Sequence, residues 1–472
     1  MSLGRAVLSI KENYAQAMAV TAPLGSVVST TTVAVAYAGG GVVFATIMAF
    51  IASAFWIYTL TLYSNRIASA GGYYTFVYAA YRSRVLAFGE ALIEVMSFIM
   101  LNVVNVLAVY LMIEAVSSFY GVKLPSWAAL LVIVFSLAYP TLASILLDVR
   151  RLLNSIVIVV ATLEVLVLLA LFALTLTRGV KVEAFLPPPD SSLAGLAIAF
   201  LLILVSFDGA GASTYLGEET RRPLDNVSKG MWLAFIVGGL AMIAGTYALV
   251  TLWPYSYVEL AGSSQPLITI TAGFGVAYVA LVIGVAAKSL LISNIGTTLA
   301  AARILYNLSR EDSAPGILST VNSRGQPVVA TLLVGFITAA ITLVAITALG
   351  VKTAFIEVGA LTGIFWIAGR ILDSLGAPLF LNRVGGLGRG ARIIPRILFP
   401  ALTFAMNAAG LTLSIIGVTL TQISILALVA VAGLLWYMLI ARFGAPGSLA
   451  VDNYNNVIRL EELLGGKHGG IK

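Results

Sequence analysis

The chain has 472 residues, 60% of them hydrophobic and only 10% charged, against roughly 25% charged in soluble domains. That excludes a soluble globular protein and leaves a polytopic helical membrane protein. Cysteine is absent and the one histidine, His468, lies in a Gly-rich tail, which excludes a disulfide framework, a thiolate metal site, a Cys nucleophile and an imidazole proton relay.

A membrane span needs about 20 apolar residues. Residues 1–14 are short and polar, read as a cytoplasmic N-terminus with no cleavable signal. Twelve spans follow, at 15–38, 42–64, 84–119, 127–147, 152–177, 193–217, 228–252, 276–303, 327–349, 353–372, 395–419 and 421–441. The third is long enough to be strongly tilted. Between the second and third, Ser69-Ala70-Gly71-Gly72-Tyr73-Tyr74 reads as a Gly-broken segment able to re-enter the membrane. Pro187-Pro188-Pro189 stiffens the loop before the sixth. Residues 442–472 read as a cytoplasmic tail, with a short amphipathic helix at Asn453–Leu464 and a flexible end from Gly465.

Lys and Arg set the orientation. With the N-terminus cytoplasmic, most of the 27 Lys and Arg fall inside, among them Arg303, Arg370, Arg389, Lys467 and Lys472. Only Lys123, Arg178, Lys181 and Lys352 fall outside, and Lys288 stays within a span. This asymmetry explains the net charge of +7 without a nucleic-acid partner. It also places both termini in the cytoplasm of a multi-pass plasma-membrane protein, with the lipid bilayer as its surroundings.

Two spans are interrupted. The first contains Thr21-Ala22-Pro23-Leu24-Gly25-Ser26, and the sixth contains Phe207-Asp208-Gly209-Ala210-Gly211. Backbone groups freed in mid-membrane must find partners, so a break is tolerated where it is buried in protein or lines a cavity. First and sixth are corresponding positions if 15–177 and 193–372 are inverted repeats of five helices each, with 395–441 outside them. Paired interruptions of this kind point to a transporter's binding site. The fold expected is therefore all-α, with twelve transmembrane helices in a 5+5 inverted-repeat (LeuT-like) arrangement whose helices 1 and 6 are discontinuous.

The chain resembles the amino acid–polyamine–organocation (APC) superfamily of secondary transporters over nearly its whole length. Phe207-Asp208-Gly209-Ala210-Gly211 followed by Leu216-Gly217-Glu218-Glu219-Thr220 and Pro223 resembles the family's F-x-G-F-E and EE-T-x-x-P segments. Ser69–Val77 is similar to its S-A-G-G-x-Y-x-Y-V. Ala302–Tyr306, Ser309–Asp312 and Pro315 are similar to its S-R-x-L-Y-A-x-A-R-D-G-x-x-P, and Gly25-Ser26 to the start of its G-S-G. Val27 replaces the last glycine of G-S-G. Ala210 and Gly211 replace a bulky residue and an acid, which removes volume beside the break and suggests a roomier or differently gated pocket.

The resemblance implies that an amino acid's carboxylate meets N–H groups around Gly25, Ser26 and Val27, as helix N-termini favour. Its ammonium would meet carbonyls near Pro23, Val205 and Asp208. The plainer reading is a proline kink with packing glycines. Asp208 either faces the pocket, pairing with a cation or binding a proton, or caps the second half-helix through Ala210 or Gly211. Asn102 and Asn105 in the third span are candidates for substrate contact or for interhelical hydrogen bonds.

Glu164 and Lys288 are deep charges in the fifth and eighth spans, helices that flank the first in this fold. In proton-coupled relatives a fifth-helix Lys stands where sodium-coupled ones bind an ion. Here Lys288, about a turn outward of Ser293-Asn294, is expected to supply that charge. Glu164 would pair with it or carry the coupling proton, a static buried pair or a snorkelling Lys being the plainer account. Glu90 and Glu94 are expected to stay near water. Glu218 and Glu219 are expected to sit beside Arg221, Arg222 and Lys229, solvated or latching a gate.

The function expected is alternating-access transport of an amino acid or related amine, coupled to a proton, with sodium as the alternative ion. Exchange, polyamine transport, a channel and a non-transporting sensor are the competing readings. No HExxH or P-loop is present, so neither an enzyme nor an ATP-driven pump is expected, and no cofactor or metal.

Overall fold

The computed structural model describes residues 3–189, 191–384, 386–388, 392–452 and 454–465. Arg389, Asn453, Lys467, His468, Lys472 and the tail beyond Gly465 lie outside the described residues.

The first expected span is three pieces: α1 (Ile10–Thr21), α2 (Pro23–Val28) and α3 (Thr30–Ala38). Ser9 starts α1 with a reciprocal capping box, its side chain and backbone exchanging hydrogen bonds with the Glu12 region. Between α1 and α2, Ala22 takes a left-handed conformation (φ 40°), and Pro23 opens α2 where a missing N–H costs nothing. At Ser29 the chain leaves helical geometry again (φ −113°, ψ −91°). None of these pieces is long enough to cross a bilayer alone.

The remaining long helices are α4 (Val42–Ser64), α6 (Arg84–Phe119), α7 (Ser126–Leu146), α9 (Ile158–Leu176), α10 (Leu193–Asp208), α11 (Pro223–Leu252), α14 (Val276–Arg310), α15 (Val328–Leu349), α16 (Val351–Arg383), α17 (Ile393–Ser414) and α18 (Leu420–Leu439). Among the described residues, eleven helical runs are long and apolar enough to cross a membrane. The shortfall from twelve lies at the first span, broken where the sequence predicts. Trp127, Leu130, Phe336, Leu428 and Leu439 are among the large apolar side chains left exposed, the outer surface that lipid requires. The chain is an all-α, integral, multi-pass membrane protein.

Short helices fill the connections: α5 (Tyr73–Tyr81), α8 (Val149–Leu152), α12 (Tyr257–Gly262) and α13 (Pro266–Ala272). The Gly-broken segment after the second span becomes α5, packed on α6 and α16. The expected tail helix is instead a hairpin, β1 (Leu449–Val451) antiparallel to β2 (Val457–Arg459), followed by α19 (Leu460–Gly465). Val457-Ile458 reads as strand as readily as helix, and pairing to β1 decides it.

The core is centred on α1 and on the segment Gly209–Leu216 that continues α10. Glycines of three neighbours close on α1. A Cβ at Gly230 or Gly209 would stand 2.7 or 2.8 Å from its backbone nitrogens, and one at Gly296 would stand 3.1 Å from the Ala19 Cβ. Lipid provides no hydrophobic drive for helix association, so close backbone approach and dispersion supply the affinity instead.

Candidate functional site

The two interruptions meet. α10 ends at Asp208 and the chain tightens into a 3₁₀ turn over Gly209–Leu216. Gly209 lies directly on the Val20–Thr21 backbone at the end of α1, and Ser206 and Thr30 share a hydrogen bond of 2.5 Å across the same junction. Phe207 is buried beneath it, edge-on to Phe50 with ring centroids 5.5 Å apart.

The N–H groups at the start of α2 are already engaged. Leu24 donates to Glu164 Oε2 at 3.1 Å, and Gly25 donates to Ser289 Oγ at 3.0 Å. Ser26 donates its N–H to the Ala22 carbonyl at 2.6 Å and its hydroxyl to the Thr21 carbonyl at 2.6 Å. A carboxylate does sit at this helix start, as its partial positive charge favours, but it is the chain's own Glu164. The carbonyl of Val205 accepts from the Gly209 N–H. The substrate contacts expected of Gly25, Ser26 and Val205 are thus occupied by internal partners in this conformation, while Val27 is buried and apolar.

Glu164 and Lys288 do not pair. Glu164 is buried on α9, whereas Lys288 lies on the exposed side of α14. Successive helical residues are about 100° apart, so Ser289, not Lys288, faces α2. The polar partner of Glu164's neighbourhood is one residue further along than expected.

Ser293 and Asn294 join α14 to α6 instead. Asn105 Nδ2 donates to Ser293 Oγ at 3.1 Å and to Asn294 Oδ1 at 2.9 Å. Asn102 donates to Thr298 at 3.2 Å, accepts from Thr297, and its carbonyl accepts from Asn294 at 3.2 Å. Both asparagines therefore make interhelical bonds. A cavity of about 10 Å³ beside Asn102, Asn294, Thr298 and Ser136 is close to the room one water needs.

Asp208 does not cap the turn that follows it. Its Oδ1 accepts from Ser53 Oγ at 2.6 Å, and its Oδ2 lies 3.6 Å from Arg370 Nε. Arg370, expected among the cytoplasmic charges, is wholly buried within α16 and ion-paired to Glu94. The rings of Trp56, Tyr73 and Trp366 lie 4.4, 4.6 and 5.0 Å from its guanidinium carbon. Glu90 and Glu94, expected near water, are fully buried beside it. The volume freed by Gly211 is no open pocket: a Cβ there would stand 2.1 Å from the Tyr73 hydroxyl and 2.8 Å from Trp56. Arg370, Ser53, Ser289 and Tyr73 escape sequence reading because a charge near a predicted helix end looks like a loop charge, and isolated hydroxyls carry no signal.

The face holding the N-terminal segment is closed. Leu8 pairs with Thr220, and the Val7 and Leu8 N–H groups donate to the Glu219 carbonyl at 2.8 and 2.9 Å. Glu219 and Glu218 pair with Arg303 and Arg310 of α14, not with Arg221, Arg222 or Lys229. Arg303, also expected as a loop charge, is buried. Burial pushes the Glu219 carboxyl up despite the opposing Arg303 guanidinium.

A family model described as "Amino acid permease" matches residues 14–370. A branched-chain amino acid permease, BcaP, of Bacillus subtilis (strain 168) is 26% identical over 192 residues. That match spans 39% of this chain and 39% of the relative. With the matched region running from the first broken helix through Arg370, the chain belongs to the amino acid permease family.

Proposed function

We propose that this protein is a secondary active transporter of amino acids or related amines, working by alternating access in the 5+5 inverted-repeat arrangement. The observation that carries the reading is the direct contact of the two helix interruptions at Gly209 and Thr21. There backbone donors and acceptors are released in mid-membrane and find partners that a small zwitterion's own groups can replace. The relative's name directs the first substrates to try, the branched-chain amino acids.

In this reading the conformation is occluded, and Glu164 stands in for a substrate carboxylate at the start of α2. Substrate entry displaces the Leu24 N–H from Glu164, and Glu164 carries the coupling proton when it is displaced. Pro23, Leu24, Gly25, Ser26 and Val27 on one side, and Val205 through Gly211 on the other, form the binding region. Asn102 and Asn105 brace α6 on α14. The termini face the cytoplasm of the cell membrane, as the Lys and Arg distribution supports.

The test is uptake of labelled amino acids and polyamines into liposomes holding the purified protein, under imposed pH or sodium gradients. Saturable uptake of an amino acid driven by an inward proton gradient is expected. Uptake driven by sodium alone removes the role given to Glu164. Counterflow without any gradient-driven accumulation makes the protein an exchanger.

A further inference from the structure

Asp208, in the binding region, belongs to a group of charges whose other members have no part in the reading above. Glu90 and Glu94 of α6, Asp208 of α10, and Arg370 and Asp373 of α16 are all fully buried together. Four carboxylates thus face one guanidinium. Arg370 is ion-paired to Glu94 through Nη1 and, at 3.6 Å, to Asp208. Its Nε and Nη2 and the Asp208 Oδ2 make no hydrogen bond, and Glu94 also accepts from the Tyr215 hydroxyl at 2.8 Å. Both oxygens of Glu90 and both of Asp373 have no hydrogen-bond partner. The nearby hydroxyls are spent elsewhere: Tyr63 donates to the Asp373 carbonyl and Tyr81 to the Leu372 carbonyl, each at 3.0 Å. Tyr73 turns its ring to Arg370.

Gly369 makes the cluster possible. A Cβ there would stand 2.4 Å from Glu90 Oε1 and 3.0 Å from Glu94 Oε1, so the missing side chain is the space in which the two carboxylates converge. A purely structural ion-pair network would supply donors to all the oxygens it buries. An unpaired carboxylate in a dry interior instead becomes neutral by binding a proton. Among the described residues, no group of three or more His, Cys, Asp and Glu is arranged to hold a metal ion, and the aromatic rings close the space around the guanidinium. A proton is the ligand that needs no cavity.

We propose that Glu90 and Asp373, beside the Arg370 ion pairs, form a buried proton-binding site that stays loaded while Asp208 docks α10 against α4 and α16. A proton on Glu90 and another on Asp373 would give two of the four unpaired oxygens a hydrogen and lower the cluster's excess negative charge from three to one. Movement of α10 would withdraw Asp208 from Arg370 and change the charge the proton balances. The site's part in a transport cycle rests on the transport reading above; its occupancy does not.

Infrared spectroscopy of purified protein tests the occupancy directly, in a Glu164→Gln background so that Glu164 contributes nothing. A protonated-carboxyl C=O band is expected at neutral pH. It should lose intensity in Glu90→Gln and in Asp373→Asn, and more in the double variant. Gln and Asn mimic the neutral acid, so these proteins should fold. A missing band in the Glu164→Gln protein overturns the proposal with no further variant. A band unchanged by either single substitution overturns it as well. Failure of amino acid uptake in liposomes would sink the transport reading and leave this measurement intact.

Discussion

Gly209 rests on the peptide between Val20 and Thr21: a methyl group at Gly209 would stand 2.8 Å from the Thr21 nitrogen and 2.8 Å from the Val20 carbonyl carbon. Both are backbone atoms of a helix end and cannot rotate aside. Gly209→Ala is therefore expected to separate α1 from the Gly209–Leu216 turn, at about 1–3 kcal/mol for overpacking, and to abolish uptake. Gly284→Ala is the control, because nothing lies within 4 Å of a Cβ there. It should be neutral, or stabilising by up to about 1 kcal/mol from helix propensity. Thermal unfolding in detergent, together with uptake into liposomes, checks both. Equal behaviour of the two variants would remove the special role of this contact.

Glu164 provides the next expectation. Glu164→Gln keeps an oxygen acceptor for the Leu24 N–H but cannot give up a proton at physiological pH. Substrate exchange across the membrane is expected to persist, while accumulation driven by a pH gradient falls to the level of empty liposomes. Glu164→Ala leaves the buried Leu24 N–H unpaired, which costs about 1–3 kcal/mol, and should lower the melting temperature as well. If Glu164→Gln accumulates substrate as the parent does, the coupling proton lies elsewhere.

The interruptions were legible because Pro23, Gly209 and Gly211 are helix breakers inside apolar runs, and hydrocarbon tolerates such breaks only where they are buried or line a cavity. The starts of α6 and α10 were legible because they begin where polar loops stop, but α14 runs on to Arg310 and α16 to Arg383, past the ends expected at 303 and 372. Side-chain direction was not. Lys288 and Ser289 are neighbours in sequence but about 100° apart on the helix, and depth alone cannot say which faces α2. Arg303 and Arg370 looked like loop charges because a charge near an expected span end is normally solvated. Only the acids brought against them by α6, α10 and the Glu218-Glu219 corner reveal them as buried. The β1–β2 hairpin was hidden by a segment whose composition fits a helix equally well.

Arg303 and Glu219 make a two-pronged pair, Nε to Oε2 at 2.6 Å and Nη2 to Oε1 at 3.0 Å, with both side chains essentially unexposed. Removing one partner strands a buried charge. Arg303→Ala is expected to destabilise the protein by about 3–5 kcal/mol, whereas replacing both with apolar residues of similar volume should cost far less. Arg303→Lys should not rescue, because an ammonium cannot reproduce the planar fork. Melting temperatures of Arg303→Ala and of the Arg303→Met, Glu219→Leu double variant decide this. A double variant less stable than Arg303→Ala would contradict it.

Glu311 ties the C-terminal hairpin to the end of α14, and it does so as a titrating group. Its carboxyl accepts from the Gly447 and Leu449 N–H groups at 2.9 Å each and from the Tyr74 hydroxyl at 2.8 Å. Burial pushes it up from 4.5 to about 7, against the pull of those donors and of Arg310. Undocking of residues 445–465 would return the carboxyl to water and to its ordinary range. A carboxyl raised in the docked state contributes stability that is fully present below about pH 4.5 and lost as pH rises through about 7. A shift of that size corresponds to something on the order of 3 kcal/mol of docking free energy. The Tyr74 hydroxyl, which also accepts from Asn307 at 2.7 Å, can turn to accept the Glu311 proton in the acid form. Hydrogen exchange at Gly447, Leu449 and Val451, corrected for intrinsic rates, should therefore quicken between pH 5 and pH 8, an interval chosen to bracket the transition. Glu311→Gln should flatten that dependence while losing about 1 kcal/mol of docking, because its amide nitrogen faces one of the two N–H donors. An unchanged pH profile in Glu311→Gln would assign the response to another group.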